Sequence, residues 1–398
     1  MEFEGKKFSE IYRLLLKDGF SKYQKPCGYR LGLDFGTSFT KASYAIKGDF
    51  GRVVFNLGKE TKYSVVYFDE NNLTLSMFKT SDSLKRIHYF KATMSGNEEY
   101  ELLKQKKVLE GIKNVELKEN FEFLCSVFFI ANMINYSSLY VARLYEQIPI
   151  PTVSMGIPMS WNNEQAPVYN KALHTARYIL SESFGKDITV MSLSDIYDRY
   201  KKYEPLFIND AFKPKKTNSG NMTIPEVVTE MNHLLNLKSI PLGDYCIIDI
   251  GGGTADFAFI TKESFILQKD PLFDCKYALV RELGDQVRKV YRYNKKEDLY
   301  EAKFSSAFNE CCKGAKGKMN KKGDMLVKVY LLGGGALTDG AYYESILTSK
   351  ENMKLLDSMN VKIEVVRPED EAEARHIIAD QLSLSDHGLK MLAGIPMH

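Results

Sequence analysis

YCIIDIGGGTADFAFI, residues 245–260, sets an apolar run against a carboxylate, three glycines, a threonine, a second carboxylate and another apolar run. The stretch from Tyr245 to Ile250 is short and β-branched, as a strand buried on both faces requires. Ala255 to Ile260 reads as a second strand, so a hairpin turn lies between them. Gly251, Gly252 and Gly253 lack a Cβ, and the turn can take positive φ and bring its N–H groups against an anion. Asp249, at the strand end, is placed to hold hydrated magnesium through water, since this ion prefers one or two carboxylates plus phosphates. Thr254 can bond a phosphate oxygen. A plain hairpin with a glycine bulge has the same pattern.

A second copy favours the phosphate reading. YRLGLDFGTSFTKASYAI, residues 29–46, again runs strand, Asp34, glycine with hydroxyls, strand; Gly36 frees the turn, Thr37, Ser38 and Thr40 offer hydroxyls, and Lys41 a cation. A third glycine cluster closes VKVYLLGGGALTDGAYY, residues 327–343, where Gly333, Gly334 and Gly335 form a corner on which a flat adenine ring can lie.

At these three places, and in their order, the chain resembles the superfamily of actin, the seventy-kilodalton heat-shock chaperones and the sugar kinases. The resemblance runs from about residue 29 to the end, and only the motif segments are specific. IDIGGGTAD is most similar to the chaperones and bacterial actins, with Asp249 and Asp256 on the family's two acidic positions. The resemblance implies an α/β, two-lobed actin-like ATPase fold, each lobe a ribonuclease-H-like mixed sheet flanked by helices, with a nucleotide cleft between lobes. It implies ATP or ADP with magnesium as cofactors. RIHYFKATMSG, residues 86–96, resembles the chaperone segment whose lysine reaches the γ-phosphate, which makes Lys91 the candidate; a solvated surface lysine reads the same way. In the chaperones a glutamate precedes the proline of the segment before the second phosphate loop. Here Ile224 takes that place and Glu226 follows Pro225, so coupling of nucleotide state to another domain is in doubt.

The composition agrees with a folded chain. Its 398 residues are 44% hydrophobic and 26% charged, ordinary for globular proteins. A net charge of +3 with mixed signs gives no nucleic-acid or membrane-surface signal. The six cysteines, Cys27, Cys125, Cys246, Cys275, Cys311 and Cys312, show no metal spacing and read as reduced thiols of a cytoplasmic protein. FEFLCSVFFIANMINYSSLYVARLY, within residues 121–147, is interrupted by Asn132, Asn135, Ser137, Ser138 and Arg143, which favours a buried helix over a membrane span.

Residues 1–28 read as a helical extension packed on the body through Ile11, Leu14, Leu15 and Leu16; a partner-docking helix is the alternative. Residues 29–240 form the expected first lobe, 241–367 the second with a reduced outer part, and 368–398 a helix returning to the first. Within the first lobe, residues 52–69 and NNLTLSMFK read as strands, 99–120 as an exposed helix or insertion, and about 164–180 as a helix capped by Asn162 or Asn163. Polar residues 195–222 read as an insertion or flexible loop, a candidate partner surface, and 223–235 as a helix. In the second lobe, Asp285 is the expected cap of a helix after Leu283 and Gly284. Residues 309–324 look like a loop end, with Glu310 and Lys313 weak candidates for adenine contacts.

The sequence therefore points to a magnesium-dependent, slow ATPase. The resemblance implies Asp34, Asp249, Lys91 and Asp256 in catalysis, with Asp34 and Asp249 toward magnesium. Gly36, Thr37, Ser38, Gly251, Gly252, Gly253 and Thr254 would hold phosphates, and Gly333, Gly334 and Gly335 adenosine. No chaperone substrate-binding domain is expected. A chaperone-like or regulatory switch binding a protein partner is the first expectation; a self-associating, filament-forming bacterial actin is the alternative, and a small-molecule kinase is less favoured.

Overall fold

The computed structural model describes residues 3, 5–56, 59–94, 106–157, 166–208, 222–226, 229–230, 233, 241–263, 272–319, 325–367 and 371–384. Among the described residues it is a mixed α/β protein with three sheets and flanking helices. Contacts divide it into two units: Met1–Ile157, Asn162–Ile224 and Leu382–Leu384 form one, Pro158–Trp161, Pro225–Gln381 and Ser385–His398 the other.

In the first unit the strands are β1 (Pro26–Phe35), β2 (Phe39–Ile46), β3 (Asp49–Arg52), β4 (Thr61–Tyr63), β5 (Val65–Asp69), β6 (Thr74–Ser76), β7 (Lys85–His88), β8 (Ile148–Ile157), β9 (Val190–Ser192) and β10 (Met222–Pro225). One sheet runs β10-β8-β1-β2-β3 with β4 also on β2, and a smaller one runs β7-β5-β6-β9. β1 lies antiparallel to β2 and parallel to β8. Its last five residues, Leu31 to Phe35, are all buried, as befits a central strand covered on both faces.

The second unit holds β11 (Gly243–Ile250), β12 (Ala255–Glu263), β13 (Leu272–Arg281), β14 (Met325–Leu332) and β15 (Val361–Val366) in the order β13-β12-β11-β14-β15. β11 is antiparallel to β12 and parallel to β14. The two main sheets thus share one order. A three-stranded meander is extended, on the far side of its first strand, by a parallel fourth strand and then a fifth.

The apolar helix Phe121–Tyr145 is the one described helix long and apolar enough to cross a membrane, and its apolar window is wholly buried inside the first unit. Its polar residues are bonded within that core: Ser138 Oγ donates to the Ile134 carbonyl at 2.7 Å and meets Tyr29 Oη at 2.9 Å. The helix is core, not span. Helix Phe8–Asp18 packs on the same core through Phe8, Ile11, Tyr12 and Leu15. Tyr12 Oη donates to Asn132 Oδ1 at 3.1 Å and accepts from Asn135 Nδ2 at 3.1 Å, tying the extension to the body. All six cysteines are free thiols, five of them buried.

Several local expectations change. Residues 53–55 carry no ladder after β3 ends at Arg52, and Asn56 with Lys59 forms an isolated bridge. The expected helix of the first lobe is Ala166–Ser183, and its proposed caps lie outside the described residues. The first part of the expected loop is helix Leu193–Ile208, because Leu193, Ile196 and Tyr200 recur at helical spacing and are buried; residues 209–221 lie outside the described residues. The expected helix over 223–235 is preceded by strand β10, with Glu226, Thr229, Glu230 and His233 helical. Most of 309–324 belongs to helix Glu297–Met319, where Cys311, Cys312 and Ala315 are buried against β12 and β13. Gly314 sits where a Cβ would stand 2.3 Å from the Tyr277 ring.

Candidate functional site

The first hairpin is shaped by backbone approach. Asp34 is the register partner of Lys41 and Phe35 of Thr40, leaving a four-residue turn, Gly36 to Phe39. A Cβ on Gly36 would lie 2.2 Å from the Phe39 carbonyl oxygen, so no other residue closes this turn unchanged. Ser64, which nothing in the sequence singled out, then fixes its shape. Its Oγ donates to the Gly36 carbonyl at 2.6 Å, its N–H to the Ser38 carbonyl at 3.0 Å, and Thr40 Oγ1 lies 2.9 Å from its Oγ.

Asp34 is buried and forms an ion pair with Lys41. Thr37 is buried too, and the Ser38 hydroxyl is enclosed with no hydrogen-bond partner among the described residues. Such a group costs roughly 1–3 kcal/mol if it stays unsatisfied, which suits a loop whose acceptor is a ligand. Lys91 is 3% exposed, not a solvated surface lysine, and its ammonium lies 5.8 Å from the centre of the Phe35 ring. It sits in the short helix Phe90–Thr93, entered through Tyr89 in the left-handed conformation with φ 61°. Asp34, Thr37 and Ser38 thus lie at one turn, and Lys91 lies against the ring of Phe35, the residue that enters it.

The second hairpin repeats the plan. Asp249 is the register partner of Asp256 and Ile250 of Ala255, with Gly251 to Thr254 as another four-residue turn. Gly251 donates to the Thr254 carbonyl at 2.9 Å, which closes it. None of Gly251, Gly252 and Gly253 takes positive φ, contrary to the expectation for this turn. Their carbonyls accept instead from the first N–H groups of helix Asp285–Tyr293: Asp285 to Gly251 at 2.9 Å, Gln286 to Gly252 at 2.9 Å and Gly284 to Gly253 at 3.1 Å. The helix start is therefore satisfied by the turn. Gly284, not Asp285, is its N-cap, and Asp285 pairs with Arg288 and Lys289.

Three carboxylates meet beside this turn. Glu226, Asp249 and Asp256 are buried, and each offers an oxygen within 4.8 Å of the others. The acid that the motif order placed on the wrong side of Pro225 is brought by the start of its helix to the two hairpin acids. Carboxylates this close repel one another when ionised, and a cation bound among them offsets that repulsion. An all-oxygen donor set of this kind suits a hard divalent ion such as magnesium.

The third glycine cluster packs on the same place. Gly333 has φ 81°, and a Cβ there would lie 2.0 Å from Asp249 Oδ1. A Cβ on Gly335 would lie 2.5 Å from the Ile250 side chain, whereas one on Gly334 would meet nothing within 4 Å. The cluster opens helix Gly333–Leu347, which is kinked at Asp339. Glu310 is instead held by Arg281 at 2.6 Å and Tyr277 at 3.4 Å, and Lys313 is exposed on the same helix. No protein-family model matches the chain, and no curated protein matches it.

Proposed function

We propose that this chain is a magnesium-dependent ATP-binding and slowly ATP-hydrolysing switch protein of the actin and heat-shock chaperone type. The observation that carries the reading is the repeated hairpin. Two four-residue turns stand on equivalent strands of two sheets with the same order, each entered by a buried aspartate. Duplicated phosphate turns are what an actin-like ATPase needs, and the second turn has three carboxylates and a glycine cluster packed on it.

Glu226, Asp249 and Asp256 would hold magnesium, which supplies positive charge to the phosphates when bound. Each turn would offer its own donors to phosphate oxygens: the Thr37 and Ser38 hydroxyls in the first unit, and the Thr254 hydroxyl with the Gly252 and Gly253 N–H groups in the second. Lys91 would stabilise charge developing on the transferred phosphoryl group, where preorganised positive charge has its largest effect. Lys41 pairs with Asp34 and would release it to orient water. Gly333, Gly334 and Gly335 would carry adenosine. The cytoplasm, with its ATP and reduced thiols, is the compartment this chemistry implies.

Phosphate release from magnesium ATP, compared between the natural chain and Asp249→Ala with light scattering followed together, tests the reading. Release that disappears in the variant without scattering supports a soluble switch working on a protein partner. A nucleotide-dependent rise in scattering directs the reading to filaments. Absence of nucleotide binding overturns it.

A further inference from the structure

Arg288 joins the two glycine segments of the second unit. It projects from helix Asp285–Tyr293, whose first N–H groups are bonded to the 251–253 carbonyls. Although cationic, it is 4% exposed. Its Nε and Nη2 donate to Asp285 Oδ1 at 3.3 and 3.0 Å, and its Nη1 donates to Asp339 Oδ2 at 2.9 Å. The guanidinium lies 4.5 Å from the centre of the Tyr342 ring and 5.6 Å from that of Tyr343.

Each partner belongs to a different part of the site. Asp285 begins the helix seated on the phosphate-type turn, and Lys289 holds its other oxygen at 2.5 Å. Its Cβ is 3.2 Å from where a Cβ of Gly335 would stand. Asp339 is the residue at which helix Gly333–Leu347 leaves helical geometry, with φ −150° and ψ 46°. A planar fork is what this place requires, since it reaches two carboxylates while its faces lie on aromatic rings; a lysine ammonium does one or the other.

We infer that Arg288 is a positioning residue that fixes the 333–339 segment on the 249–254 turn, so that the nucleoside and the phosphates are recognised as one unit. The inference rests on the nucleotide reading above. Through Asp339 the arginine sets the glycine segment, and through Asp285 it sets the turn. Cutting the Asp339 arm leaves the phosphate turn in place and lets the nucleoside segment drift.

The test is isothermal titration of the full chain with magnesium ATP and, separately, magnesium tripolyphosphate, which has the phosphates but no nucleoside. Asp339→Asn, Arg288→Lys and the double variant are compared with the natural chain, and thermal melting reports folding. The ratio of ATP to tripolyphosphate affinity falls about tenfold in each single variant, as loss of a charge-assisted hydrogen bond gives. In Asp339→Asn, which cuts only the nucleoside arm, tripolyphosphate affinity stays within about twofold, and the double variant is no worse than Arg288→Lys because that variant already lacks the link to Asp339. Asp339 has 38% of its side chain exposed, so its variant decides the matter if Arg288→Lys does not fold. Equal losses for both ligands, or an unmoved ratio, overturn the inference and leave the nucleotide reading standing. A natural chain that binds neither ligand overturns both.

Discussion

Asp249 and Asp256 face one another across the β11–β12 hairpin at the register position where the β1–β2 hairpin sets Asp34 against Lys41. The repeat is therefore one of backbone, not of charge. The first turn neutralises its own acid, whereas the second opposes acid to acid and adds Glu226. One hairpin pairs its acid with a base across the strands, and the other pairs acid with acid.

Asp256→Asn should accordingly separate stability from function. In metal-free buffer it relieves repulsion and raises the melting temperature by about 2–4 °C, the response to roughly 1 kcal/mol in a unit of this size. Millimolar magnesium then stabilises the natural chain and leaves the variant unmoved. Thermal unfolding with and without magnesium checks both. A variant that melts lower without metal means that the three acids are not in conflict.

Lys91 is enclosed beside Phe35, one residue from Asp34. Lys91→Met keeps the length and apolar stem while removing the charge, so the fold changes little. Single-turnover phosphate release should fall by about 100-fold or more, the scale for loss of one preorganised charge. ATP affinity should move by less than about tenfold. Loss of affinity as large as the loss of rate would place Lys91 in binding alone.

Lys62 gives a pH signature. Its ammonium lies 4.9 Å from the centre of the Phe8 ring and 5.9 Å from that of Phe129, and donates to the Tyr63 carbonyl at 2.9 Å. Burial, with the Arg86 charge as a second cause, pushes it from 10.5 down to about 8. In that interval the unfolded chain keeps the Lys62 proton and the native chain has released it. Stability therefore rises with pH from about 8 upward. Burial also raises Tyr12 and Tyr29 above the ordinary 10.0. Those phenols stay protonated when the unfolded ones ionise, so their contribution falls as pH passes about 10. Urea unfolding from pH 7 to 11 should show a rise and then a decline, and Lys62→Met should remove the rise. A flat profile in the natural chain would mean that Lys62 is hydrated.

What the sequence made legible follows from what local chemistry encodes. The first two glycine motifs sit between strand-forming runs and the third closes one, so those strands could be read directly. The burial of helix Phe121–Tyr145 showed in asparagines and serines that a bilayer would not accept. Ser64 could not be found, because its bonds to Gly36 and Ser38 cross 28 and 26 positions of chain with no pattern around it. Glu226 stands on the other side of Pro225 from the family's glutamate, and a linear pattern cannot show that the fold brings its carboxylate to Asp249 and Asp256. Helix Leu193–Ile208 was mistaken for loop because Tyr197, Tyr200 and Tyr203 stand among charges. Tyr200 is nevertheless buried against Phe123, and Tyr203 stacks on Tyr178. Aromatic residues with a polar tip carry the apolar face there.

The glycine cluster allows folding and adenine recognition to be told apart residue by residue. Gly333→Ala places a Cβ 2.0 Å from Asp249 Oδ1 and 2.7 Å from the Ile250 carbonyl oxygen, on a backbone at φ 81°. Strain of this kind costs about 1–3 kcal/mol before the clash is counted, and the displaced carboxylate belongs to the acidic trio. Stability and magnesium response should therefore fall together. Gly334→Ala meets nothing within 4 Å and lies in a helix, where alanine is favoured over glycine by up to about 1 kcal/mol. The fold does not need Gly334, so only a ligand can. If adenine lies on this corner, the Gly334→Ala chain melts at or above the natural temperature, keeps its tripolyphosphate affinity and loses affinity for ATP. An unchanged ATP affinity in a stable Gly334→Ala chain would remove adenine from the corner and leave the glycines as packing elements for Asp249 and Ile250.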